Sequence, residues 1–202
     1  MSINVEIIRK IRDIRLEHIG LERIRERKYF EDLVKAIIEE NSGNLTVEDI
    51  KWIMDFIEMD FYKGRHILPT KDPKARRFGM LFSEPTKRKI LEENSLEDLN
   101  EFFIEIYWKE NIDKADEFIT KLKGIGEGFV SLLLYLKNRE KYNILLPVTE
   151  KAVKKIFKEE ITGTFKDRYL KFNKLVNKLK QICNLKPQEI DIILTIIGKE
   201  NT

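Results

Sequence analysis

Leu122-Lys123-Gly124-Ile125-Gly126-Glu127-Gly128-Phe129 decides how the chain is read, because two glycines one residue apart stand between two segments of helical periodicity. Upstream, Asp113 followed by Ala115, Phe118, Ile119 and Leu122 marks a helix with a cap-like start. Downstream, Phe129 to Leu136 is so dense in apolar residues that it is expected to be buried on nearly all sides, whether helical or extended. A Gly-x-Gly between such segments lets the backbone take positive φ angles and present bare N–H groups, while Ile125 can plug the turn into the core. The N-terminus of the next helix then favours an anion, and Lys123 adds a full positive charge. Taken alone, the same turn is equally well a glycine-capped helix end with no ligand. It is not a P-loop, since no Gly-Lys-Ser or Gly-Lys-Thr follows.

Working outward, the apolar residues keep helical spacing. Val5, Ile8, Ile11 and Ile14 through Ile19 suggest a first helix; Tyr29/Phe30, Leu33/Val34 and Ile37/Ile38 suggest a second, ended by Asn41-Ser42-Gly43-Asn44. Thr46 three residues before Asp49 resembles a helix cap ahead of Ile50, Ile53, Met54 and Ile57. Ser95-Leu96-Glu97-Asp98 opens a helix through Phe103 and Tyr107; Pro147 and Pro187 open two more, flanking a long segment from Phe165 to Ile182. Only Asn143 to Val148 offers a β-like alternation. The fold class expected is all-α: a multi-helix globular protein.

From Phe61 to Pro85 the periodicity fails, broken by Gly64, Pro69, Pro73, Gly79 and Pro85, which predicts a long connector with one short helix around Arg76 to Phe82. Arg65, His66, Lys74, Arg76 and Arg77 could contact phosphates from it, although a solvated connector is the simpler reading. Residues 1–94 are thus an N-terminal helical region with a long basic connector, and 95–202 the region of the glycine turn; the two could also form one compact domain. With 202 residues, 42% of them hydrophobic, the chain can build a real core. The absence of an apolar run of membrane-spanning length, and of a signal-like stretch in MSINVEIIRKIRDIR, predicts a cytoplasmic protein with no membrane partner. Cys183 stands alone, so neither a disulfide nor a zinc site is expected, and it reads as a small core residue.

The formal net charge is only +3, but Lys121 to Lys180 contains fifteen Lys or Arg against six acids, a net of +9 that leaves −6 for the rest. Such asymmetry suits a polyanion-binding surface, and equally a solvated lysine-rich helix face.

The stretch ADEFITKLKGIGEGFVSLLLYLKNREKYNILLPVTEKAVKKIF resembles the helix-hairpin-helix core of the DNA glycosylase superfamily, in which a helix ends in Leu-x-Gly-Val/Ile-Gly and a buried apolar helix follows. Leu122, Gly124, Ile125 and Gly126 match the hairpin; Pro147-Val148 followed by Val153 resembles the later Pro-Val-Asp-x-x-Val element. The resemblance implies DNA as partner, held at one strand's backbone by Lys123, Gly124, Ile125, Gly126 and Gly128. It implies no organic cofactor and no metal from side chains, but a structural monovalent cation on the carbonyls of Leu122 and Gly124. Lys151, Lys154, Lys155, Arg65, Arg76 and Arg77 are candidate accessory contacts.

Catalysis in the family uses an Asp after Pro-Val, and bifunctional members add a Lys two residues past the second hairpin glycine. Here those positions are Thr149 and Gly128, which supply neither charge nor nucleophile. Thr149 is expected to keep the capping role of the Asp as a helix N-cap. Glu150 is a weak substitute, because one helical residue is a rotation of about 100°. The expectation is therefore a DNA-binding protein on a glycosylase-like scaffold, a recognition subunit in DNA repair or in defence against foreign DNA, without glycosylase catalysis. An active glycosylase using Glu150 and a helical protein–protein adaptor are the alternatives. Tyr62, Phe78 and Trp108 are candidate wedges for a flipped base, each also explicable as packing.

Overall fold

The computed structural model describes residues 3–58 and 82–200. Ten α-helices, and no strand, occur among the described residues: α1 (Val5–His18), α2 (Leu21–Glu40), α3 (Val47–Glu58), α4 (Glu84–Glu92), α5 (Leu96–Phe103), α6 (Ala115–Lys121), α7 (Glu127–Lys137), α8 (Pro147–Phe157), α9 (Phe165–Cys183) and α10 (Pro187–Lys199). The chain is all-α, and no described helix is long and apolar enough to cross a membrane. The connector from Phe61 to Leu81, with Tyr62, Arg65, His66, Lys74, Arg76, Arg77 and Phe78, lies outside the described residues.

Several helix starts follow from polar side chains that satisfy otherwise unpaired N–H groups. Thr46 and Asp49 form a reciprocal box at α3: Asp49 N–H donates to Thr46 Oγ1 at 3.2 Å, and Thr46 N–H to Asp49 Oδ2 at 2.8 Å. Ser95 Oγ accepts from Asp98 N–H at 3.0 Å at α5, and Pro147 and Pro187 stand in the first turns of α8 and α10. Asp113 caps no helix among the described residues. It sits in a 3₁₀ turn, Ile112–Lys114, ahead of α6, and its carboxylate pairs with Lys166. The helix expected through Tyr107 also changes character, widening after Phe103 into a π-turn, Ile104–Trp108, in which Lys109 N–H reaches the Ile104 carbonyl at 3.0 Å.

Helix α7 is the axis of the molecule. Every residue from Phe129 to Leu136 is buried, and α2, α6 and the π-turn pack around it. One apolar cluster joins Ile11, Phe30 and Ile53 from the first three helices to Phe103, Leu133, Phe172 and Ile193, so the packing is continuous across residues 94 and 95. Side by side, α8 and α10 close one flank.

The alternation read in Asn143 to Val148 does not produce a strand. Tyr142, Asn143, Ile144 and Leu145 are all buried, and their backbone is satisfied by side chains instead of a neighbouring strand. Asn143 N–H donates to Asn173 Oδ1 at 2.8 Å, and Leu145 N–H to Ser131 Oγ at 2.9 Å. This segment is thereby threaded between α7 and α9 and delivers the chain to the start of α8.

A buried polar network, which the sequence reading did not anticipate, ties α2, α7 and α10 together. Arg27, 1% exposed, donates from Nε to Glu31 Oε1 at 2.8 Å and from Nη1 to Asp191. Tyr135 Oη donates to the same Glu31 oxygen at 2.7 Å, and Gln188 Nε2 donates to Glu31 Oε2 at 3.0 Å. Burial by itself would lower the Arg27 pKa, but Asp191, Tyr135 and Glu31 together hold it above its usual value, so the guanidinium stays charged.

Candidate nucleic-acid interface

Helix α6 ends at Lys121, Leu122 turns extended, and the chain reverses through Lys123 and Gly124 before α7 begins. Gly124 has φ +78°, the value at the third position of a type II turn. A Cβ there would stand 2.8 Å from Ile90 Cγ1 and 3.2 Å from the Thr86 carbonyl oxygen, so α4 lies directly against the turn. Gly124 is thus required by the fold.

Gly126 differs. It is the N-cap of α7 with φ −131° and ψ 174°, ordinary extended backbone, and a Cβ there would meet nothing within 4 Å. The expectation that both glycines take positive φ is corrected: only Gly124 does. Ile125, between them, is buried as the plug expected, while Lys123 is exposed and has no ion pair among the described residues.

Asn94, unmarked by the sequence reading, fixes the turn. Its Oδ1 accepts from Lys123 N–H at 2.8 Å and its Nδ2 donates to the Lys123 carbonyl at 2.9 Å. The same Nδ2 lies 3.0 Å from the Ile90 carbonyl at the end of α4. An Asn just past a helix that then meets a glycine turn is the only sequence trace of this role.

The five backbone N–H groups from Gly124 to Gly128 donate no hydrogen bond among the described residues; the first donors with acceptors here are Phe129 and Val130, both onto the Gly126 carbonyl. Three of these N–H groups, those of Gly126, Glu127 and Gly128, belong to the N-cap and first turn of an eleven-residue helix, at its positive end. Glu127, the first residue of α7, does not fold back onto them. Its carboxylate instead accepts from Arg168 Nη1 at 2.7 Å.

The remaining site candidates fall into three groups. Thr149 is not the N-cap of α8, which is Leu146. From the third position of the helix, its Oγ1 accepts from Leu146 N–H at 2.8 Å and lies 3.1 Å from the Ile144 carbonyl. Proline at the first position shifts the cap back onto an apolar residue, so the threonine hydroxyl reaches backwards. Glu150 is buried, held by Arg168 Nη2 at 2.5 Å and by Lys154 Nζ at 3.2 Å, and hydrogen bonding to Glu150 leads the effects that raise the Arg168 pKa.

Of the accessory lysines, Lys151 is exposed, Lys154 is paired with Glu150 and Glu160, and Lys155 Nζ donates to the Glu200 carbonyl at 2.7 Å. The basic stretch is less concentrated in space than along the chain, because acids from elsewhere come onto it: Asp98 onto Lys121, Glu110 onto Lys141, Asp113 onto Lys166, and Glu31 and Asp32 onto Arg139. Trp108 lies under Lys137 Nζ, 4.5 Å from its ring, at the C-terminal end of α7, and so about 15 Å of helix from the glycine turn. Cys183, at the end of α9, is half-buried, and burial pushes its thiol pKa up.

No group of three or more His, Cys, Asp or Glu at metal-holding distance occurs among the described residues. Comparison with protein-family models, with curated proteins and with solved structures finds no significant match to this chain.

Proposed function

We propose that the protein binds the phosphate backbone of DNA through the Lys123–Gly128 turn, in the manner of a helix-hairpin-helix tip, with little dependence on base sequence. One observation carries the reading: at the start of α7 the N–H groups of Gly126, Glu127 and Gly128 have no acceptor among the described residues, and Gly126 is a glycine that neither its backbone angles nor its neighbours demand. A bare backbone at such a point leaves room for a phosphate oxygen to reach the N–H groups, and Lys123 adds charge beside them. A monovalent cation fits the same reading. The Lys123 carbonyl is taken by Asn94, so the cation would draw on the carbonyls of Leu122 and Gly124.

Glycosylase chemistry is not part of the proposal. The Thr149 hydroxyl is engaged in helix capping and the Glu150 carboxylate is held between two cations.

The test is fluorescence anisotropy with a labelled random-sequence duplex across a salt series. Affinity is expected to fall with salt, with a logarithmic slope on the order of −0.9 per phosphate contacted. Gly126→Val, whose Cβ meets nothing within 4 Å, is expected to weaken binding by crowding the N–H groups, and Lys123→Ala to lower affinity and slope modestly. No binding at low salt, or a salt-independent affinity, would sink the proposal in favour of a protein–protein adaptor. Turnover of lesion-containing duplexes that is lost in Glu150→Gln would overturn the exclusion of catalysis.

A further inference from the structure

Three helices begin beside one another next to the glycine turn, and Arg168 joins them. Glu127 is the first residue of α7, Glu150 lies in the first turn of α8, and Arg168 is the fourth residue of α9. Arg168 donates from Nη1 to Glu127 Oε1 at 2.7 Å and from Nη2 to Glu150 Oε2 at 2.5 Å. The two carboxylates are not equivalent. Glu150 has a side chain 11% exposed and a second cation, Lys154, whereas Glu127 is 35% exposed and has no other cationic partner among the described residues. Arg168 is thus gripped on one side and loosely held on the other.

Glu127 also carries one of the unpaired N–H groups, so an anion arriving there meets its carboxylate. A phosphodiester oxygen is as good a partner for a guanidinium N–H as a carboxylate oxygen, and a guanidinium can serve two anions at once. We propose that Arg168 is a second phosphate-binding group of this interface, masked in the free protein by Glu127. On binding, a DNA phosphate takes the place of Glu127 on Nη1 while Nη2 stays on Glu150. The proposal rests on the reading of the turn given above and adds to it a self-masking contact.

The test uses the full chain and the same labelled duplex. Glu127→Gln is expected to bind about three- to tenfold tighter, with a salt slope steeper by about 0.9, one further phosphate contact. Glu6→Gln on α1 makes the same change in net charge and is expected to leave the slope unaltered. Adding Arg168→Gln to Glu127→Gln is expected to return the slope to that of the wild type. Should that variant lose its fold by circular dichroism, Arg168→Lys replaces it: one ammonium remains for Glu150, and the extra slope should again vanish.

Masking is overturned if Glu127→Gln binds no tighter than Glu6→Gln, or if its steeper slope survives the loss of Arg168. When Gly126→Val weakens binding and Glu127→Gln changes nothing, the masking falls and the turn stands. When Gly126→Val has no effect, or no duplex is bound at low salt, both fall.

Discussion

The two glycines of the turn should behave oppositely when each is given one methyl group. At Gly124, alanine must adopt φ +78°, which costs an L-residue about 1–2 kcal/mol. Its Cβ would also stand 2.8 Å from Ile90 Cγ1 and 3.2 Å from a backbone oxygen of α4. Ile90 is fully buried and cannot swing aside, so overpacking adds about 1–3 kcal/mol and the total is about 2–5 kcal/mol. At Gly126 the extended backbone suits alanine and the new Cβ meets nothing. The loss of a good N-cap residue is offset by the smaller entropy of the unfolded chain, leaving a change within about 1 kcal/mol. Urea denaturation of Gly124→Ala and Gly126→Ala, followed by far-ultraviolet circular dichroism, measures both. Equal costs, or a larger one at Gly126, would refute the assignment of Gly124 to the fold and Gly126 to the ligand.

Arg27→Met strips a buried charge from Glu31 and Asp191 at once and should destabilise by about 3–5 kcal/mol in the same assay; a loss under about 1 kcal/mol would mean that water or a shifted side chain already serves the carboxylates. Thr149→Ala should cost about 1 kcal/mol through the bond from Leu146 N–H while leaving duplex affinity unchanged, and a clear fall in affinity would give Thr149 a place in the interface. Lys141 and Tyr142 hold the Glu110 carboxyl below its ordinary 4.5, and Lys109 and Asn111 do the same for Glu105. A folded-state pKa below the unfolded one gives stability that is complete above pH 4.5 and lost as pH falls through the folded value, so Glu110→Gln should flatten the acid side of a stability–pH curve.

Helix positions were legible because capping and periodicity act within one turn of chain. Thr46 and Asp49, Ser95 and Asp98, Pro147 and Pro187 each mark in sequence the helix starts they make in space. The glycine turn was legible for the same reason, as a local reversal between two apolar segments. What failed was nonlocal. The segment Asn143 to Val148 alternates like a strand, but the acceptors of its N–H groups, Asn173 and Ser131, lie 30 and 14 residues from their donors, beyond any local pattern. An acid before an apolar run looks like a cap, but Asp113 pairs with Lys166 instead.

Charge shows the same limit from the other side. A net of +9 over Lys121 to Lys180 is a property of the chain, whereas a surface potential depends on which acids fold back onto those lysines and arginines. Asp98, Glu110, Asp113, Glu31 and Asp32 all do so, and within the stretch Glu127 and Glu150 share Arg168. Solvent still reaches the Arg168–Glu127 pair, whose side chains are 24% and 35% exposed, so screening leaves it a modest contribution to stability, on the order of 1 kcal/mol. For the same reason a phosphate can exchange it at little cost. Lys123, which has no ion pair among the described residues and stands beside the open N–H groups of the turn, therefore says more about where an anion would settle than the whole excess of charge along the chain, and Arg168 says more than a free arginine would, since its occupied state can be emptied and measured.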